Sequence, residues 1–264
     1  MTAYKFRKPV IADASAIAGL INHFAEKRIM LPRAVADDHR RFDFGAMASR
    51  YDAWYETDVG RLHDAAQKQI VLSMLPASAA GGRRSLLDVG CGTGHWSVFF
   101  AEQGFKVTGI DISPKMISVA QARKALHCCF AVADVMKLPY LDDAFDVVSA
   151  MAVLEFISDA RRACAEMIRC LKPGGCLVLG TLNRLAEVNR RRVAEQAAPY
   201  VSARMFAPEE LRRLLMLFGD VAIRVTMEEK AVQRQTSNGP APVKHGLDDR
   251  NESGAFIVAR VIKP

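Results

Sequence analysis

From Ser85 onward the chain alternates short apolar runs with stretches of helical period, and this alternation predicts βαβ units and a parallel sheet. Strands are expected near residues 85–89, 106–111, 128–133, 145–150 and 175–181, with helices between them. A helix over 96–103 follows the first strand. Beyond the fifth strand the pattern predicts a helix over 184–197 and a shorter one over 207–218, with Pro208 near its start and Glu209 and Glu210 in its first turn. Two further strands, near 221–228 and 254–261, complete the sheet, and the polar, Gly- and Pro-containing stretch between them reads as a loop. Ahead of the alternation, Asp13 is expected to cap a helix that carries Ile17, Leu20, Ile21 and Phe24 on one face and ends near Pro32. A second helical stretch is expected over 44–75, with Tyr51, Trp54 and Tyr55 in its first half and Ile70, Val71, Leu72 and Leu75 in its second. Pro76 and the Ala/Ser/Gly run to Gly82 then break the chain.

Composition narrows the class of protein. Half of the 264 residues are hydrophobic and a quarter are charged, the mix of a chain that folds in water. No run of 18 apolar residues is present, and the first fifteen residues lack the layout of a signal peptide, so neither a membrane span nor secretion is expected. The six cysteines, Cys91, Cys128, Cys129, Cys164, Cys170 and Cys176, are then read as reduced thiols of a cytoplasmic protein. Neighbouring Cys128 and Cys129 diverge on a strand and read as packing residues, and no metal is expected. The net charge of +7 is spread thinly along the chain. Its densest cluster, Arg190 to Arg192, has Glu187 and Glu195 at helical spacing, so a solvated helix face is favoured over nucleic-acid binding.

The chemistry concentrates where the first strand ends. Leu86-Leu87-Asp88-Val89 runs straight into Gly90-Cys91-Gly92-Thr93-Gly94, three glycines at alternate positions before a helix. Glycine permits the backbone to take positive φ and to approach a ligand closely, and a helix start offers unpaired N–H donors. Asp111 lies 21 residues beyond Gly90, at the end of the next strand, where a carboxylate can accept from two vicinal ribose hydroxyls. The glycine spacing differs from the G-x-G-x-x-G of dinucleotide sites, so no pyrophosphate cradle is written here.

With these residues in order, the chain resembles the class I S-adenosylmethionine-dependent methyltransferases, in particular the UbiE/arsenite-type group that acts on small molecules, over about residues 44–263. The matching segments are Asp88 to Gly94, Val107 to Asp111, Ala133-Asp134-Val135, Phe145 to Glu155, and Leu171-Lys172-Pro173-Gly174-Gly175. The resemblance implies an α/β, Rossmann-like seven-stranded sheet in the order 3-2-1-4-5-7-6 with the last strand antiparallel, and S-adenosylmethionine as cofactor. It sets Gly90 and Gly92 against the methionine moiety, with Asp88, Cys91 and Gly94 in the same loop. Asp111 would meet the ribose, beside Ile112. Asp134 would accept from the adenine amino group, while the Val135 N–H meets a ring nitrogen. Ala150 and Met151 would line the sulfonium end, and Tyr51, in Arg50-Tyr51-Asp52, would close over the cofactor.

The implied reaction is methyl transfer to an O, N, S or C atom of a small molecule. Positioning supplies most of the rate, and a base is needed only when the nucleophile arrives protonated. Tyr51, His95 and Glu155 are the candidates for catalysis by their position. The place after the fourth strand reads Ser149-Ala150-Met151-Ala152-Val153 and not Asn/Asp-Pro-Pro-aromatic, which argues against methylation of a nucleobase amine. Asn183, Arg184 and Arg204 are candidates for an acidic substrate. An RNA or protein methyltransferase, or a non-catalytic subunit that binds S-adenosylmethionine, are the alternatives.

Residues 4–33 resemble the opening of GNAT-type N-acetyltransferases, but the acetyl-CoA loop of that family appears nowhere. Residues 1–36 therefore read as a remnant appended to a methyltransferase domain at 37–264. That extension would dock on the domain or on a second copy of the chain to form a homodimer.

Overall fold

The computed structural model describes residues 44–76, 82–226 and 252–264. The expected N-terminal helix, the boundary at residue 36 and most of the 230–253 loop lie outside the described residues.

Seven strands form one sheet in the order β3-β2-β1-β4-β5-β7-β6. In chain order they are β1 (Ser85–Val89), β2 (Lys106–Asp111), β3 (Cys128–Val132), β4 (Phe145–Met151), β5 (Leu171–Leu182), β6 (Asp220–Val225) and β7 (Phe256–Ile262). The first five pair in parallel, and β7 runs antiparallel to both β5 and β6. The expected order and the antiparallel last strand are both present. Among the described residues six helices accompany the strands: α1 (Asp58–Met74), α2 (His95–Glu102), α3 (Pro114–Ala122), α4 (Ala160–Cys170), α5 (Glu187–Ala194) and α6 (Pro208–Leu215).

Alternation along each strand feeds a core on either face of the sheet. Leu87, Val89 and Val148 pack with Cys164 and Met167 of α4 and Leu211 of α6. Leu86, Val107 and Val147 pack on the other face with Val71 of α1 and Phe100 of α2. Asp88 shares the second face by the same alternation, and that places its carboxylate against α2.

Two elements differ from the sequence reading. The stretch 44–75 is not one helix but two 3-10 turns, Phe44–Met47 and Tyr51–Glu56, followed by α1. Thr57 breaks it with ψ 154°, and its hydroxyl accepts from the Gly60 N–H at 2.9 Å as an N-cap. The fifth strand begins at Leu171 and not near Gly175, because Leu171 already pairs with Phe145 and the strand then passes an irregularity before Cys176 pairs with Val147.

Candidate functional site

A cavity of about 640 Å³ opens where the carboxyl ends of β1, β2, β3 and β4 meet. Strand order reverses between β1 and β4, and such a crevice is where open α/β sheets bind ligands. Its floor includes Gly90 and Gly92 after β1, Asp111 and Ile112 after β2, and Asp134 and Val135 after β3. Met151 at the end of β4 and Ala152 and Val153 after it form one wall, and Phe44 and Tyr51 of the two 3-10 turns close another.

The glycine loop has the conformation its composition demands. Gly90 and Gly92 take φ of 66° and 54°. A Cβ on Gly90 would lie 2.3 Å from a Val153 methyl, whereas one on Gly92 would meet nothing within 4 Å. Gly92 thus leaves open space on the cavity side of a close backbone approach. Ala152, a non-glycine residue at φ 55°, sits across the cavity, and strained backbone of this kind clusters at functional sites.

Asp111 ties the floor together. One carboxylate oxygen accepts from the Gly92 N–H at 2.9 Å and the other from the Ser113 N–H at 2.8 Å. Each oxygen retains a further lone pair for a ligand hydroxyl. Burial raises its pKa, against the lowering effect of these backbone donors. Asp134 has a similar arrangement, with one oxygen accepting from the Met136 N–H at 2.9 Å. Ile112 is 45 % exposed beside Asp111, an apolar surface left uncovered at the cavity.

Of the residues expected at the cofactor, Tyr51, Gly90, Gly92, Asp111, Ile112, Asp134, Val135 and Met151 line the cavity. Asp88, Cys91, Gly94 and Ala150 do not. Asp88 is buried on the α2 face, where it accepts from Ser97 Oγ at 2.6 Å and Ser149 Oγ at 3.1 Å. Cys91 packs with Ile117, Ala120 and Phe130. Gly94 starts α2 at φ 85°, and Ala150 lies within β4 in the core.

The three candidates for catalysis separate. Tyr51 lines the cavity, and burial, followed by the nearby Tyr200, Glu155 and Asp111, pushes its phenol up to about 12. At neutral pH it carries its proton and can donate but not accept one. Glu155 is only 1 % exposed and lies behind the lining, with Thr181 Oγ1 donating to it at 2.8 Å and the Leu182 N–H at 3.3 Å. His95 is also outside the lining: its Nε2 lies 2.8 Å from Asp64 of α1, and its ring stacks on Tyr55. Neither stands where a substrate proton would be taken from the cavity.

Two of the candidates for an acidic substrate, Asn183 and Arg184, are engaged elsewhere, and Arg204 is exposed and outside the cavity lining. Asn183 is buried and donates to the carbonyls of Glu252 and Gly254, at 2.7 Å each, where it fixes the approach to β7. Arg184 pairs with Glu210 at 2.7 Å, Arg213 with Glu209 at 3.0 Å, and Arg192 lies over the Tyr200 ring. None of these arginines lines the cavity. Among the described residues no cluster of three or more metal-ligating side chains exists, and the thiols of Cys128 and Cys129 do diverge, one toward the Ser97 carbonyl and one toward Thr108. No helix among them is long and apolar enough to cross a membrane.

The sequence reading missed the apolar end of the cavity. Phe44 meets Phe156 edge-on at 4.8 Å and Tyr51 at 6.3 Å, and all three line it. It quoted Asp52 beside Tyr51 but gave it no role; its carboxylate accepts from Thr93 Oγ1 at 2.6 Å and pairs with Arg123. An acid beside a cavity-facing aromatic was the available signal, but nothing in the sequence names its partners.

Comparison with known proteins bears on the same residues. Residues 87–179, which span the glycine loop through most of β5, match the methyltransferase domain family. The chain is 35% identical over 118 residues to a malonyl-[acyl-carrier protein] O-methyltransferase of Serratia marcescens, covering 45% of this chain and 46% of that protein. It is 31% identical over 160 residues to a ubiquinone biosynthesis O-methyltransferase of Xanthomonas campestris, covering 58% and 66%. It therefore spans about half to two thirds of the length of these relatives. A Thermotoga maritima crystal structure, described as a SAM-dependent methyltransferase and possible histamine N-methyltransferase, superposes with a TM-score of 0.66 at 26% identity, over 84% of this chain and 98% of that one. The family match begins well after residue 36, and the acetyltransferase-like reading of the N-terminal segment gains no support. Residues 87–179 of the chain therefore match a methyltransferase domain, set in a seven-stranded sheet of the class I methyltransferase fold.

Proposed function

We propose that the chain transfers a methyl group from S-adenosylmethionine to a small-molecule acceptor in the cavity at the β1/β4 crevice. The observation that carries this reading is Asp111, a cavity-lining carboxylate locked to the glycine loop through the Gly92 N–H at 2.9 Å. The cofactor supplies a methyl already activated on a sulfonium sulfur, which an acceptor displaces in line to leave S-adenosylhomocysteine. Asp111 accepts from the ribose hydroxyls, Asp134 and Val135 hold the adenine edge, and Gly90 and Gly92 admit the methionine moiety. Tyr51 covers that end and donates its hydroxyl proton in a hydrogen bond. The apolar wall of Phe44, Phe156 and Val153 keeps water from the reacting atoms.

The acceptor is most economically an oxygen nucleophile. Both curated relatives described above are O-methyltransferases by name. Among the described residues, no neutral histidine or free basic carboxylate lines the apolar end, which favours an acceptor that arrives ionised, such as a carboxylate or an acidic phenol.

Thermal unfolding with S-adenosylmethionine and S-adenosylhomocysteine tests the cofactor assignment. A ligand at 100 times its Kd adds about 2.7 kcal/mol, a rise of roughly 5 to 11 °C. Asp111→Ala and Asp111→Asn should both lose most of that rise. Release of S-adenosylhomocysteine across a panel of carboxylates, phenols, amines and thiols then identifies the acceptor. No rise with either ligand would overturn the reading.

A further inference from the structure

His95 is a buried-edge imidazole that the methyl-transfer reading leaves without a task. Resting on that reading of the cavity, we infer that His95 is a positioning residue, holding the 3-10 turn Tyr51–Glu56 against the glycine loop so that Tyr51 covers the cofactor. The His95 and Tyr55 rings stack face to face, with centroids 3.8 Å apart and planes inclined by 11°. Tyr51 and Trp54, by contrast, meet Tyr55 edge-on at 6.3 and 5.1 Å. The imidazole plane is set from the other side. Asp64 of α1 takes His95 Nε2 on one oxygen at 2.8 Å and Lys68 Nζ on the other at 2.6 Å. Nε2 also lies 3.0 Å from Lys68 Nζ, so the Asp64–Lys68 pair encloses that ring nitrogen. Burial raises the Asp64 carboxyl, but the donors from His95 and Lys68 outweigh it and the net shift is downward, which keeps it ionised to hold them.

A second anchor lies one turn away. Asp52 and Tyr55 are three residues apart, so on a 3-10 helix they share a face. Asp52 accepts from Thr93 Oγ1 at 2.6 Å and pairs with Arg123, whose Nε donates to the Thr93 carbonyl at 2.6 Å. Thr93 and His95 flank Gly94, the residue that turns the loop into α2. The same face of the turn is thus gripped on both sides of that glycine, and Tyr51, whose ring meets that of Tyr55 edge-on, is presented to the cavity as a consequence.

The test uses the full chain, with S-adenosylhomocysteine as the calorimetric probe and hydrogen exchange of the turn as an independent readout. The Ala53 and Thr57 amides, which bond to the Arg50 and Trp54 carbonyls, report on the turn itself. His95→Ala should weaken binding about tenfold and speed exchange at those amides with or without ligand. His95→Phe, which keeps a ring for Tyr55, should restore binding to within about threefold of the parent. If the alanine variant does not fold, His95→Gln replaces it, since Gln keeps a donor for Asp64 but no ring. Parental exchange and affinity in the ringless variant would overturn the proposal, and so would a phenylalanine variant as weak as the alanine one. If the parent chain binds no cofactor at all, the methyltransferase reading falls, while the exchange data still decide whether His95 holds the turn.

Discussion

Asp88 and Glu155 are each 1 % exposed, and among the described residues neither carboxylate accepts a hydrogen bond from a Lys or Arg side chain. Burial dominates both and pushes each carboxyl up to about 7, against hydroxyl donors that pull the other way. A carboxyl raised on folding contributes stability that is fully present below its unfolded pKa and lost as pH rises through the folded one. For Glu155 that window runs from about pH 4.5 to 7 and is on the order of 3 kcal/mol. Glu155→Gln can keep both partners, accepting from the Leu182 N–H and donating to Thr181. Urea unfolding of the two proteins at pH 5 and pH 8 should therefore show the parent losing its stability advantage at the higher pH, and parallel pH profiles would refute this account. The two loop glycines separate in the same way. Gly90→Ala places a methyl against Val153 in addition to its strained φ, so it should destabilise by several kcal/mol, from the clash as much as the backbone. Gly92→Ala meets open space, so its folding cost should be about 1 kcal/mol while its cofactor affinity falls steeply. Thermal unfolding with and without S-adenosylmethionine distinguishes the two.

At the scale of elements, the cover is where sequence pattern and structure part. Tyr51, Trp54 and Tyr55 repeat at a helical spacing that continues into Ile70 and Val71, and period alone does not register a cap. The cap was present in the letters: Thr57 followed by Asp58 has the composition of a helix start. Its hydroxyl also donates to the Trp54 carbonyl at 2.8 Å, so one side chain closes the turn and opens α1. Thr57→Ala should cost about 1 kcal/mol in denaturant unfolding and should loosen the turn relative to α1. An unchanged midpoint would show that the turn is held by its contacts with the loop alone. The fifth strand teaches a related lesson. Lys172-Pro173-Gly174-Gly175 looks like a loop by composition, yet pairing of Leu171 with Phe145 recruits it into a strand that bulges around those residues. By contrast β1 and β2 occupy the residues expected of them, because buried parallel strands write near-continuous apolar runs.

For the whole molecule, the sheet order places the ends of β1, β2, β3 and β4 around one crevice, and residues as far apart in the chain as Phe44 and Phe156 meet in its walls. The βαβ alternation, the glycine loop and the acid one βαβ step later were all determined by the sequence by itself. Each is local: a period of burial, a backbone that only glycine adopts readily, a carboxylate at the end of a strand. The tertiary structure alone decided the neighbours that give those residues their roles. Asp52 meets Arg123 across 71 positions, and Asp88 meets Ser149 across 61. It also decided that His95, beside the loop in sequence, turns toward Asp64 and Tyr55 and lies outside the cavity lining, and that Glu155 is enclosed against Thr181 and Leu182. A side chain's direction at the end of an element depends on what packs against it. Those partners arrive from other elements only when the sheet closes, so no local pattern of hydrophobic and polar positions contains them.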